Sequence, residues 1–356
     1  MCPAPVPAER DVDPAESPAS WPGTTGRSSL YSRRSAILTT GAAALGLLTA
    51  LVVVLVSSGS GGSHRLHRES AAPLPWPSEG QTSVLVEGLG DRGDLGTKGT
   101  QTPVPIASVT KVMTAYVILR DHPLHRSEPG PDITVDRTAA NEPVAGAEST
   151  VPVREGQRLS ERRLLELMLI PSGNNIARLL ARWDAGSQEA FVTKMNRAAD
   201  RLGMDRTTYT EPSGVAPTTV STSGDQLKLA RHAMRDEAFR HIVALTSTTV
   251  PGVSGRIPNT NTLLGTSGVI GVKTGSSTPA GGALMWGAVM PDGQGHEHLV
   301  LGVVLHQRAD SSPQEGLQAA LETSGSLVKG VRKWLSGQVP SADGPGAPDQ
   351  RAVTRP

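Results

Sequence analysis

The chain has 356 residues and a formal net charge of +1, because 34 lysines and arginines almost balance 33 aspartates and glutamates. This balance gives no indication of nucleic-acid binding, which requires a basic excess. The single cysteine, Cys2, excludes an intrachain disulfide, a cysteine-based metal site and a catalytic thiol in the folded part. The length suits one large domain or two small ones with a substantial core.

The N-terminal region predicts a tail followed by a membrane anchor. Residues 1–35 are rich in Pro, Ala, Ser and charged residues, which is typical of disorder. The uncharged segment 36–56, AILTTGAAALGLLTALVVVLV, matches the ~20 residues that cross a bilayer as a helix. Arg33 and Arg34 precede it directly, so the positive-inside rule places the N-terminus in the cytoplasm and the rest outside the cell membrane. A cleaved twin-arginine export signal, indicated by SRRSAIL, is the alternative interpretation.

Two further segments without core-forming patterns bound the folded domain. Residues 57–77 are rich in Ser and Gly and then in Pro, which predicts a linker that becomes stiffer toward its end. Residues 336–356 predict a disordered C-terminal tail. The folded domain is therefore expected at residues 78–335.

Strand patterns lie near both ends of this domain and helix patterns lie between them. Residues 82–90, 281–290 and 298–306 are rich in strand-forming residues bounded by turn signals. Apolar residues at helical spacing predict helices around 109–117, 164–168, 176–183 and 191–202, and a last helix at 317–335. This order predicts an α+β fold, with an antiparallel sheet built from both chain ends, flanking helices and a central helical insertion.

The first predicted helix opens on Ser108 and Lys111, which are three residues apart and therefore share a face. A serine hydroxyl is a weak nucleophile that needs a base, and a lysine is a base only when burial or a second cation lowers its pKa. An N-capping serine beside a solvated lysine is the ordinary alternative. The same S-x-x-K spacing recurs at Ser326 and Lys329 in the last helix, where we expect a solvated face.

Two more short motifs follow in the chain. SGN at 172–174 begins a helix, where helix capping alone is an alternative. KTG at 273–275 ends one apolar strand before another, where an edge hairpin is an alternative. Together, S-x-x-K, S-x-N and K-T-G in this order resemble the signature set of penicillin-binding proteins and serine β-lactamases.

The resemblance is closest to the low-molecular-mass penicillin-binding proteins that act as serine-type D-alanyl-D-alanine carboxypeptidases. It extends from TPVPIASVTKVMTA through LMLIPSGNNIARLLA and STSGDQLKLARHAM to VKTGSSTPAGG. It implies an enzyme of the β-lactamase-like fold that needs no cofactor. The implied partners are a peptidoglycan stem peptide ending in D-Ala-D-Ala as substrate and β-lactams as acylating inhibitors.

The resemblance also implies the catalytic residues. Ser108 would be the acylated nucleophile and Lys111 its proton acceptor. Ser172 would relay protons between the two lysines of the site and the leaving amine.

For substrate binding, the resemblance implies that Asn174 holds the backbone amide of the peptide, and that Lys273 and Thr274 bind its terminal carboxylate. Gly275 would let the strand approach the substrate closely. The backbone amide of Ser276, with that of the nucleophile, would form the oxyanion hole.

Three alternatives and one absence remain at this stage. A serine β-lactamase of the same fold commonly uses an E-x-x-L-N element, which is absent between residues 172 and 273, so we expect stable acylation by penicillin. A D,D-endopeptidase of the same fold and an inactive wall-binding protein are the other two. His296, His298 and His306 lack the spacing of a metal site, so no metal is expected.

Overall fold

The computed structural model describes residues 73–143 and 148–337. The predicted tail at 1–35, the predicted anchor at 36–56 and most of the predicted linker and C-terminal tail lie outside these residues. Within residues 73–143 and 148–337, no helix combines the length and the apolar character needed to cross a membrane.

The elements alternate as the sequence order predicts, with strands at both ends and helices between them. The strands are β1 (Gln81–Val86), β2 (Asp94–Lys98), β3 (Val104–Pro105), β4 (Asp132–Thr134), β5 (Arg158–Ser160), β6 (Val220–Ser221), β7 (Ser247–Thr248), β8 (Ile257–Pro258), β9 (Val269–Ser277), β10 (Gly281–Pro291) and β11 (Glu297–Gln307). The α-helices are α1 (Lys111–Asp121), α2 (Arg137–Asn141), α3 (Glu161–Leu169), α4 (Asn174–Ala185), α5 (Gln188–Arg201), α6 (Ser223–Ala233), α7 (Glu237–Val243) and α8 (Pro313–Ser336). Short 3₁₀ helices cover Gly90–Gly93 and Ala107–Thr110.

The main sheet has five strands in the order β2-β1-β11-β10-β9, and every neighbouring pair is antiparallel. β1 pairs with β11 so that Gln81 lies opposite Leu305. The sheet is thus built from both chain ends, and the helices α1–α7 form the insertion between them. This arrangement confirms the predicted α+β class.

Each face of the sheet packs on a different core because side chains alternate along a strand. Leu284 and Trp286 of β10 belong to the cluster that α8 covers. Ala283 and Met285 of the same strand point to the larger core shared with the insertion. Gly302 on β11 is required by this packing, since a Cβ there would lie 2.2 Å from the Trp286 ring.

Several boundaries differ from the sequence predictions. β1 ends at Val86, because the chain then turns into the 3₁₀ helix Gly90–Gly93 and returns as β2, a strand that the Gly-rich sequence did not indicate. The fold also begins before residue 78, since Leu74 is 8% exposed and joins the cluster beneath α8. The final residues of the predicted linker are therefore packed on the domain.

Candidate active site

The nucleophile candidate lies on a tight turn that leads into α1. Ser108 is in the 3₁₀ helix Ala107–Thr110, and α1 begins at Lys111. Ala107 has a φ of 45°, in the left-handed region that L-residues rarely adopt. Its carbonyl accepts a 2.8 Å hydrogen bond from the Thr110 hydroxyl, which holds the turn in place. The turn fixes the position of Ser108 relative to the helix.

The amine of Lys111 is completely buried and has three acceptors around it. Its Nζ atom lies 2.8 Å from Ser108 Oγ, 2.6 Å from Asn174 Oδ1 and 2.7 Å from the Ser213 carbonyl oxygen. The S-x-x-K spacing thus brings the hydroxyl and the amine together on one face of the helix start. The other two acceptors come from distant parts of the chain.

The surroundings of Lys111 favour its neutral form. Burial lowers the pKa of Lys111 well below its ordinary value, and the positive charge of Lys273 lowers it further. Glu211 acts in the opposite direction, Arg178 again lowers the pKa, and Glu148 raises it. A buried amine between these charges is suited to accept a proton from a hydroxyl.

The SGN segment lies between α3 and α4 and faces this amine through one side chain. Asn174 is buried, accepts from Lys111 through Oδ1 and donates from Nδ2 to Glu148 over 3.2 Å. Ser172 is also buried and has a φ of 68°. Its hydroxyl has no hydrogen-bond partner among the described residues. The structure therefore joins Asn174 to Lys111 directly and leaves the Ser172 hydroxyl free.

The KTG segment lies on β9, at the edge of the main sheet. Lys273 is 1% exposed and its Nζ donates to the Thr274 carbonyl over 2.9 Å. Burial lowers the pKa of Lys273 to about 7. The hydroxyls of Thr274 and Thr260 are 2.6 Å apart. This strand therefore presents a second buried amine whose charge is easily changed.

β9 touches the nucleophile turn at a glycine. A Cβ on Gly275 would lie 3.0 Å from the backbone nitrogen of Ser108, and equally close to that of Val109 and to the Ile106 carbonyl. Ser276 follows, half-buried and opposite Gly282 of β10. The absence of a side chain at 275 is what permits the close approach of the two segments.

Sequence reasoning missed two parts of this arrangement. Ser213, in a PSG turn, supplies a carbonyl to Lys111, and Glu211 holds that turn. Arg178 pairs with Glu142 over 2.6 Å and with Glu148 over 2.8 Å, beside Asn174. The turn residues were a visible signal for a loop, but nothing in the sequence connected them to Lys111. Across residues 73–143 and 148–337, no three His, Cys, Asp or Glu side chains are grouped to hold a metal ion.

Comparison with known proteins matches this chain to one family. Residues 79–306 match the model of the peptidase S11 family, described as D-alanyl-D-alanine carboxypeptidase. The chain is 34% identical over 210 residues to the D-alanyl-D-alanine carboxypeptidase of Streptomyces sp. (strain K15), covering 54% of this chain and 71% of the relative. It is 37% identical over 194 residues to D-alanyl-D-alanine carboxypeptidase DacD of Escherichia coli (strain K12), covering 53% of this chain but only 49% of the relative.

Solved structures show the same likeness in three dimensions. The Streptomyces K15 DD-transpeptidase superposes with a TM-score of 0.61 at 28% identity, covering 72% of this chain and 98% of that one. Penicillin binding protein 6B from Escherichia coli superposes with a TM-score of 0.59 at 32% identity, covering 73% of this chain and 82% of that one.

Proposed function

Because the chain belongs to the D-alanyl-D-alanine carboxypeptidase family, we propose that it is a serine hydrolase that removes the terminal D-alanine from peptidoglycan stem peptides. The observation that carries this proposal is the 2.8 Å contact between Lys111 Nζ and Ser108 Oγ, at an amine that is fully buried. A hydroxyl and a neutral amine in this geometry are a nucleophile and its base.

Acylation follows from this pair. Lys111 takes the proton of Ser108 as Oγ attacks the carbonyl carbon of the penultimate D-alanine. The bond from this carbon to the terminal D-alanine nitrogen then breaks, and the leaving amine receives the proton that Lys111 had accepted. Ser172, whose hydroxyl has no hydrogen-bond partner among the described residues, is free to pass that proton on. D-Alanine departs and the shortened peptide remains as an ester on Ser108.

Deacylation uses the same groups with water as the nucleophile. Lys111 accepts a proton from the water as its oxygen attacks the ester carbon, and returns it to Ser108 as the ester bond breaks. The shortened peptide leaves with a new carboxylate. No group beyond these side chains and water is needed for the proton balance.

The KTG strand offers a basis for specificity toward substrates with a free C-terminus. A carboxypeptidase must recognise a terminal carboxylate, and the Lys273 ammonium with the Thr274 hydroxyl supplies a charge and a hydrogen-bond donor for it. Asn174 binds the peptide backbone. The amides of Ser108 and Ser276 stabilise the oxyanion, and the close contact at Gly275 brings their two segments together.

Two acidic side chains near Lys111 argue against rapid β-lactam hydrolysis. Glu211 accepts three hydrogen bonds from its own turn, and Glu148 is bound to Arg178 and Asn174. Both carboxylates are engaged by other groups of the protein, which disfavours either of them as the base that activates a water molecule. We therefore expect β-lactams to acylate Ser108 and to remain bound as inhibitors.

A D,D-endopeptidase is a second candidate. A relative from Pseudomonas aeruginosa is named D-alanyl-D-alanine endopeptidase and is 38% identical over 159 residues, covering 44% of this chain and 49% of that relative. Crosslinked dimeric stem peptides tested beside the linear peptide distinguish the two activities, because only an endopeptidase splits the crosslink.

Attachment to the cell membrane is part of the proposal. The uncharged run at 36–56, preceded by two arginines, supports a single-pass anchor with a cytoplasmic N-terminus and an extracytoplasmic catalytic domain. Membrane fractionation and protease protection of intact cells test this topology. Release of the domain into the medium without residues 1–56 would instead indicate a cleaved export signal.

The decisive experiment uses the full chain in detergent, with one sample incubated with benzylpenicillin and a separate, untreated sample incubated with a peptide ending in D-Ala-D-Ala. We expect a covalent adduct on the Ser108 peptide by mass spectrometry and release of D-alanine. Both should be lost in Ser108→Ala and retained in Ser326→Ala, the matched control in the second S-x-x-K sequence. No adduct and no D-alanine release in the wild type would exclude the proposed function, and would leave a wall-binding role.

A further inference from the structure

The turn formed by residues 211–214 lies directly beneath the nucleophile and the base. Glu211 accepts hydrogen bonds from the Ser213 amide over 2.7 Å, from the Ser213 hydroxyl over 2.5 Å and from the Gly214 amide. One carboxylate therefore closes the turn through three donors. Ser213 is completely buried, so its conformation depends on these bonds rather than on solvent.

α1 is fastened to this turn at two consecutive carbonyls. Lys111 Nζ donates to the Ser213 carbonyl over 2.7 Å, and Thr114 Oγ1 donates to the Pro212 carbonyl over 2.6 Å. Lys111 and Thr114 are three residues apart and share a helix face. The turn is thus the surface against which the base end of α1 is held.

The same turn touches the residue that precedes the nucleophile. Gly214 has a φ of 87°, and a Cβ there would lie 1.8 Å from the Ala107 carbonyl oxygen. Ala107 is the left-handed residue before Ser108. A displacement of the turn would therefore move both members of the nucleophile–base pair.

The hydrogen-bond inventory of a neutral amine shows why the Ser213 carbonyl matters. A neutral lysine has two N–H donors and one lone pair, whereas the ammonium has three donors. If the two N–H groups of Lys111 point at Asn174 Oδ1 and the Ser213 carbonyl, the lone pair points at the remaining neighbour, Ser108 Oγ. The two acceptors thus aim the base at the hydroxyl proton.

We propose that Glu211 is a positioning residue for the general base, holding the Ser213 carbonyl so that the lone pair of Lys111 is directed at Ser108. This inference rests on the proposed serine hydrolase function and adds a residue outside the three motifs. Glu211 touches neither substrate nor nucleophile, and acts through the turn.

The charge of Glu211 also affects the pKa of Lys111, which gives the proposal a second effect that can be measured separately from the alignment. Lys111 is faced by Lys273 on β9, Arg178 on α4, Glu148 between α2 and β5, and Glu211 in the turn. The negative charge of Glu211 raises the pKa of Lys111 against the lowering effects of burial and Lys273. Its removal lowers the pKa further, so that Lys111 stays neutral at more acidic pH.

Glutamine is the informative replacement because it keeps the size of the side chain. A carboxylate accepts at both oxygens, whereas the amide of Glu211→Gln has one acceptor oxygen and a donor that faces a backbone N–H. The turn then loses at least one of its three bonds together with the charge. Glu322→Gln, an exposed glutamate on α8, is the matched control.

The test measures the rate of acylation by benzylpenicillin and kcat/KM for D-alanine release between pH 5 and 9, with Tm for each full-length variant. In Glu211→Gln we expect the acylation rate at the pH optimum to fall by about tenfold or more, since general-base catalysis depends on this alignment. KM should change little, and the acidic limb of the pH profile should move to lower pH. Glu322→Gln should match the wild type in its acylation rate, its KM and the position of its acidic limb.

Two results would overturn the proposal. One is a Glu211→Gln variant with the acylation rate and acidic limb of the wild type. The other is a loss of rate that accompanies a collapse of Tm with an unmoved acidic limb, which would indicate a purely structural turn. Glu211→Asp tests the second case again, because it keeps the charge and should keep the acidic limb in place. A wild type that neither reacts with penicillin nor releases D-alanine would instead refute the proposed function.

Discussion

Glu161, the first residue of α3, is a buried carboxylate whose replacement tests the electrostatics of the insertion. The residue is inaccessible to solvent, and neither carboxylate oxygen has a hydrogen-bond partner among the described residues. Burial raises the pKa of Glu161 to about 7, and the like charge of Glu128 adds to this, while Arg162 opposes it. A protonated Glu161 therefore suits the folded protein better than an ionised one.

The size and sign of the effect follow from this pKa. Folding favours proton binding at Glu161, so its contribution to stability is present at low pH and is lost as pH rises from 4.5 to about 7. A shift of this size corresponds to at most about 3 kcal/mol. Glu161 is one of the residues that line a surface cavity of about 430 Å³. Because water in that cavity screens the charge, we expect about 1–2 kcal/mol.

The replacement Glu161→Gln removes the ionisation and should remove this loss. We expect the variant to be about 1–2 kcal/mol more stable than the wild type at pH 8, with a difference that shrinks toward pH 4. Urea denaturation across this range measures it. Glu237→Gln is the matched control, because Glu237 also occupies the first position of a helix after a side-chain N-cap but is exposed. Parallel pH curves for wild type and Glu161→Gln, or a less stable variant at pH 8, would refute the reasoning.

Three further predictions concern the strand edge and the sheet. Burial lowers the pKa of Lys273 to about 7, so the ammonium that we propose as the carboxylate-binding group is lost above that pH. KM should therefore rise by about tenfold per pH unit there in the wild type and stay flat in Lys273→Arg, as initial rates at several pH values will show. Gly275→Ala would place a Cβ 3.0 Å from the Ser108 nitrogen, so penicillin acylation should slow by about tenfold or more. Tm should change little. The control Gly325→Ala, on α8 where a Cβ would only make an ordinary 3.6 Å contact with Leu263, should acylate normally. Gly302→Ala would drive a Cβ to 2.2 Å from the Trp286 ring, so unfolding in urea should show a loss of about 1–3 kcal/mol or more, and an unchanged midpoint would contradict the packing described.

Local sequence predicts contacts between residues that are close in the chain, whereas the site also depends on contacts between distant residues. Ser108 and Lys111 are three residues apart at a helix start, so their contact follows from helix periodicity. Lys111 and Asn174 are 63 positions apart in the chain, so their contact could be predicted only through the resemblance to a known family. The contact with Ser213 spans 102 positions, and a PSG turn carries no periodic signal that points to a lysine. Its role emerges only from tertiary packing.

The fold divides in the same way. Long apolar strands such as β10 and β11 were predicted within a residue or two, because alternation and turn signals are strong there. β2, with the sequence DLGTK, has little strand propensity and exists because the edge of β1 offers it a partner. Leu74 was assigned to a linker because its Pro-rich neighbours suggested one, although α8 supplies an apolar surface for it.

The order of strands in the main sheet has a consequence for folding during synthesis. β11 is the central strand, between β1 and β10, yet it is the last strand to be synthesised. Until it emerges, β1 with β2 and β9 with β10 are separate ribbons, each with unpaired edges. Closing the sheet requires contacts between residues as far apart as Gln81 and Leu305, which makes folding slow and late. A nascent chain with this topology cannot complete its main sheet until almost all of the domain has left the ribosome.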